Sequence, residues 1–212
     1  MTQPDLIPPA TSLTRAFADL ARDLTDGDVP RISTMRNYRF AIVPYPPADE
    51  FALRRHVAEL TATLTAKSWL VLSLSLQRLF LERVRHLPGD FATRLIARER
   101  RLTDPQRALN LLKEKLAPEL EGPTGLAADV AREIAAFAAA HPDDTERTLV
   151  ILGRAGALYP LIRSSALLRH LDGRTGNIPV ILLYPGSRRG ESGLSFMDEL
   201  PPDRDYRPRI YG

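Results

Sequence analysis

The sequence contains no cysteine. That excludes disulfides, a thiol nucleophile and any zinc site built on thiolates, and it fits a reducing compartment. No apolar run approaches the roughly 20 residues of a membrane-spanning helix. The opening segment MTQPDLIPPATS has neither the basic start nor the apolar core of a signal peptide, so a cytoplasmic location is expected. The four histidines, His56, His86, His141 and His170, are too far apart in sequence to suggest a local metal site, and neither an HExxH nor an EF-hand loop is present. No G-x-S-x-G elbow occurs, and there are no internal repeats or low-complexity tracts.

What is present is ordinary for a globular protein. Of the 212 residues 44% are hydrophobic and 26% charged, enough to bury a core without staples. A single domain over residues 1–212 is expected. The net charge is +3, and residues 153–212 hold nine arginines against six acids. A basic C-terminal third can meet nucleic acid, a phosphate-bearing ligand or an acidic partner, but the arginines are scattered and not interleaved with aromatics.

The stretch 148–186 organises the chain. Two β-branched apolar runs, Thr148–Leu152 and Ile178–Tyr184, enclose a glycine-containing turn and a short helix ending at Leu171. That is a βαβ unit, and continuous apolar runs suit a parallel sheet covered on both faces. Ser164 and Ser165 are expected to cap the short helix. Earlier in the chain, Tyr38–Val43 and Trp69–Leu74 read as strands, the first halted by Pro44. Helices are expected from Thr11 or Ser12 to Leu24 and from Asp49 to Leu64, the latter with Phe51, Val57, Leu60 and Leu64 toward the core. A further helix, Gln77–His86, leads into a helical insertion at about 90–140, made of Phe91–Arg101, Pro105–Leu116 and Leu126–Ala140, with a hinge at Pro118–Gly125. Arg98, Arg100 and Arg101 cluster in it, interrupted by Glu99, and read as a solvated face. In the basic tail, 187–212, Leu194–Met197 and Tyr206–Tyr211 read as extended. The fold expected is α/β, with a mostly parallel sheet of about four to six strands flanked by helices and a helical insertion between the second and third strands.

The turn GRAGALYP lies where α/β proteins often hold phosphate. A Walker A loop would need Gly, Lys and Ser or Thr at positions held by Leu158, Tyr159 and Pro160, and the G-x-G-x-x-G spacing also fails. A tight connection with positive φ at a glycine accounts for the turn. If the last two long strands are parallel, Arg154, Tyr159, Arg163 and Tyr184 converge at their C-terminal ends. Arginine among aromatics suits a protein partner or an anion. The tail adds Arg207 and Arg209.

The segments GRAGALYPLIRSSALLRHL, IPVILLYPG, GLSFM and YRPRIY occur in an order that resembles the BrxB family, small components of BREX (bacteriophage exclusion) systems. The likeness is specific over residues 148–212 and compatible over 38–116. BREX systems block replication of infecting phage and mark host DNA by adenine methylation. They combine a methyltransferase (PglX), a phosphatase-fold protein (PglZ) and a large AAA-type ATPase (BrxC) with small subunits. The resemblance implies a non-enzymatic adaptor without a cofactor, docking a larger component, foremost the PglZ type, with PglX or BrxC as other partners. A nucleic-acid-binding subunit using the arginine excess is the alternative. An enzyme acting on phosphorylated small molecules is a third.

Overall fold

The computed structural model describes residues 12–27, 32, 39–190, 193–201 and 208–212. Its strands are β1 (Phe40–Tyr45), β2 (Leu70–Ser75), β3 (Thr148–Gly153), β4 (Val180–Arg189), β5 (Gly193–Phe196) and β6 (Arg209–Ile210). The helices are α1 (Ser12–Thr25), α2 (Glu50–Ala66), α3 (Leu76–His86), α4 (Phe91–Glu99), α5 (Pro105–Leu120), α6 (Leu126–Ala140) and α7 (Ser164–Leu171). The sheet order is β2-β3-β4-β1-β6, every neighbouring pair parallel, and β5 runs antiparallel to the far half of β4. This is the mostly parallel α/β sheet that the apolar runs predict.

The runs are continuous because both faces are covered. Along a strand, successive side chains point to opposite faces. Phe40, Ile42, Val150, Leu152, Val180 and Leu182 pack on one side with α3, α5, α6 and α7. Ala41, Val43, Leu149, Ile151, Ile181 and Leu183 pack on the other with α1 and α2. The helical insertion is part of the first layer, since Leu126, Val130 and Ile134 of α6 are at most 1% exposed within it.

Several local expectations need correction. β1 runs through Pro44 to Tyr45. β6 pairs with β1 only at Ala41 and Ile42, so that flank of Pro44 has no ladder bond to lose. On α2 the buried stripe is Leu53, Leu60 and Leu64, and Phe51 is 79% exposed. Helix α5 continues through Pro118 to Leu120, which shortens the expected hinge to residues 121–125. That loop is held from two sides. Arg83 donates from Nε to the Glu119 carbonyl (2.6 Å) and from Nη2 to the Thr124 carbonyl, and Arg174 Nη1 donates to the Pro123 carbonyl (2.6 Å). A Cβ at Gly125 would lie 2.2 Å from the Leu120 carbonyl oxygen, so only glycine fits there. Arg163, not a serine, occupies the N-cap of α7. Finally, β4 runs past the expected end at Tyr184 to Arg189 and pairs there with β5.

Candidate functional site

Because β1 to β4 are parallel, their C-terminal ends share one edge. The chain leaving β1 passes to α2 on one face, while the chain leaving β3 passes through a 3-10 turn, Ala155–Leu158, toward α7 on the other. Where such connections diverge, an open α/β sheet forms a crevice. Here it is a cleft of about 250 Å³ lined by Tyr45, Glu50, Gln77, Arg154, Pro185 and Met197.

Glu50 is the hub of this cleft. Its Oε2 accepts from the Tyr45 hydroxyl (2.7 Å), and its Oε1 lies 3.2 Å from Arg154 Nη1 and 3.6 Å from Arg54 Nε. Arg154, at the end of β3, thus reaches over the end of β4 to the first residue of α2. It does so from a left-handed conformation, φ 60°. The positive φ of the GRAGALYP turn therefore belongs to Arg154 and not to a glycine. Beside the cleft the Arg54 guanidinium sits 5.0 Å from the centre of the exposed Phe51 ring.

The other candidates lie elsewhere. Tyr159 and Tyr184 pack against Phe196, with ring centres 6.1 Å and 5.3 Å away. Tyr184 is fully buried, so it supports its neighbours and cannot meet a partner. Arg163 is exposed at the mouth of this aromatic group, over a recess of only about 10 Å³. Arg209 Nη2 pairs with Asp23 (2.6 Å) and stacks 4.9 Å from the Tyr211 ring centre, while Tyr211 donates to the same carboxylate (2.8 Å). Arg209 thereby ties β6 to α1. Arg207 lies outside the described residues. The structure thus separates Arg154 from Tyr159, Arg163 and Tyr184, and it adds Tyr45, Glu50 and Phe51. The signal for Phe51 was available. The spacing Leu53, Val57, Leu60, Leu64 follows one helix face, which leaves Phe51 on another.

Among the described residues no group of three or more His, Asp or Glu side chains is placed to hold a metal, and no helix is long and apolar enough to cross a membrane.

Burial, followed by the hydrogen bond to Glu50, raises the Tyr45 hydroxyl above its ordinary 10.0; burial and the bond to Asp23 do the same for Tyr211. A raised pKa in the folded state gives stability that is complete below the unfolded value and is lost as pH climbs from there toward the folded value. Thermal melts stepped upward through pH 10.0 are therefore expected to fall faster for this protein than for a Tyr45→Phe/Tyr211→Phe variant. Parallel curves would mean that neither hydroxyl is held as described.

Fold and edge together define an open α/β protein whose parallel strands end at a shallow cleft carrying Tyr45, Glu50, Gln77 and Arg154, with no Walker A loop beside it. The chain belongs to the BrxB family: the family model described as "BREX protein BrxB" matches residues 72–210, from within β2 into β6. Membership makes it a component of a BREX defence system, with other BREX components as plausible partners. The segment around Tyr38–Pro47 falls outside the matched range. No curated protein and no solved structure matches the chain.

Proposed function

We propose that this chain is a non-enzymatic adaptor of a BREX complex and that it docks a larger component, of the PglZ type, through the C-terminal edge of its sheet. The observation that carries the reading is Phe51, a 79% exposed aromatic beside the cleft, with Arg54 over its ring. Aromatic and arginine side chains dominate the energetics of protein interfaces. Glu50 holds Arg54 and Arg154 in place before any partner arrives, which lowers the ordering cost of binding. Family membership supports the setting.

The test is co-purification of the tagged full chain with the other BREX components of its host, through a high-salt wash. A stoichiometric PglZ-type partner is expected to survive. Phe51→Ala leaves folding intact, because the ring covers no core, and weakens the complex by about 30-fold or more, the range of an interface hot spot. Arg163→Glu tests the neighbouring aromatic group: unchanged folding and partner binding would confine the surface to the Phe51 side. A chain that emerges alone from the wash overturns the adaptor reading, and a Phe51→Ala variant that binds normally overturns the choice of edge.

A further inference from the structure

Most of the described arginines of residues 153–212 are engaged within the molecule. Arg154 pairs with Glu50, Arg174 holds the Pro123 carbonyl, Arg189 lies 4.0 Å from Asp198, and Arg209 pairs with Asp23. A cluster of positive charge remains on the helical insertion. Residues 91–107 contain five arginines against Glu99 and Asp104.

In sequence Glu99 interrupts this group, but in space it does not. At about 100° per residue, Arg94, Arg98 and Arg101 follow one line along α4 and its last turn, with Arg100 about 100° round from Arg101. Leu95 and Glu99 fall on the opposite, inward side. Burial agrees: Arg94, Arg98, Arg100 and Arg101 are exposed, Leu95 is buried and Glu99 half-buried. None of these four arginines lies within ion-pair distance of a carboxylate among the described residues. On the next helix Glu114 pairs with Lys115 at 2.7 Å. Only Arg107 is paired, loosely, with Asp104 at 3.6 Å.

From this surface we propose that α4 and the turn after it form a binding site for the phosphodiester backbone of duplex nucleic acid. Four unpaired guanidinium groups in two helical turns match phosphate oxygens in charge and hydrogen-bonding geometry. They spread over about half the circumference of a helix roughly 10–12 Å across, a convex surface that fits a groove about 12 Å wide. Single strands are bound through stacking on exposed aromatics, and residues 92–107 contain no aromatic side chain. Contacts to phosphate without base readout make the binding independent of sequence. This site and the proposed protein-docking edge lie on different elements, α4 and the β1–α2 corner, so each is tested without the other.

The experiment measures binding of the full chain to a labelled DNA duplex across a salt series, beside a single strand of the same length. Arg94→Ala/Arg98→Ala/Arg101→Ala is compared with Arg15→Ala/Arg22→Ala/Arg55→Ala, which removes the same charge from exposed positions on α1 and α2. The wild-type chain is expected to bind duplex at low salt and lose affinity steeply as salt rises. The α4 variant is expected to bind at least about 10-fold more weakly, with a log–log salt slope shallower by about 2.7, three phosphate contacts at about 0.9 each. The α1/α2 variant keeps both values, and thermal melts of all three chains coincide. No duplex binding at low salt, equal losses in both variants, or tighter binding of the single strand would each overturn the proposal. So would an α4 variant that releases a BREX protein partner while its DNA binding is unchanged, because the occupant would then be an acidic protein surface.

Discussion

Gly186→Ala is expected to cost at least about 4 kcal/mol, in the exceptional range for a single substitution. Gly186 sits at φ +142°, where β4 turns from its parallel partners to pair with β5. A Cβ there would lie 2.0 Å from the Ser195 carbonyl oxygen, 3.0 Å from the Tyr184 ring and 3.1 Å from the Met197 backbone nitrogen. Two of these three neighbours are backbone, and Met197 N is already bonded to the Pro185 carbonyl at 2.8 Å. Relief therefore means separating β5 from β4 and disturbing the Tyr184–Phe196 contact beneath. For a chain of this size about 4 kcal/mol lowers the melting temperature by roughly 10 °C. Gly190→Ala is the control. Gly190 also has positive φ, +69°, but nothing lies within 4 Å of its would-be Cβ, so only backbone strain of about 1 kcal/mol remains. Equal melting temperatures for the two variants would mean that the β4–β5 corner is not packed as described.

Arg83→Ala is expected to cost about 3–5 kcal/mol, the range for breaking a buried ion pair by removing one partner. Arg83 Nη1 bonds Asp129 Oδ2 at 2.7 Å, and the two side chains are 19% and 9% exposed. The variant leaves the Asp129 carboxylate with Arg132, itself 67% exposed, as its remaining ion-pair partner. It also frees the Glu119 and Thr124 carbonyls, so the 121–125 loop is left with the Arg174 hold alone. Arg132→Ala removes the solvent-facing partner and is expected to cost no more than about 1 kcal/mol. Chemical denaturation of Arg83→Ala, Asp129→Ala and the double variant closes a cycle in which the double costs well below the sum. Additive losses would show that Arg83 acts on the loop carbonyls alone.

Strands β1 to β4 were legible because each contains a short, mostly apolar run. Their order was not. A run that is apolar on both faces says that it is covered, but not which neighbours cover its edges. Nothing in FAIVPY announces that it lies between β4 and β6. The candidate site was legible to the same depth. Arg154 stands at a strand end and could be placed on the sheet edge from sequence. Glu50 read only as an acid in the first turn of a helix, because its pairing with Arg154 exists only once β1 and β3 flank β4. The φ of the turn was assigned to a glycine because left-handed conformations are uncommon elsewhere, and here an arginine takes one.

The place of β1 in the sheet also bears on how the chain reaches its native state. β1 is the first described strand to be synthesised, yet its partner along its whole length is β4, Phe40 facing Val180 and Tyr45 facing Pro185. Every helix of the insertion must be made before that partner exists. The sheet is therefore dominated by pairings of high sequence separation, the topology that folds slowly. Until β4 arrives, β1 is an apolar strand with both edges open, a template for association with other chains. Residues 40–45 are the stretch of the described sheet most exposed to misassembly on the ribosome, and the fold closes only when the second half of the protein has emerged.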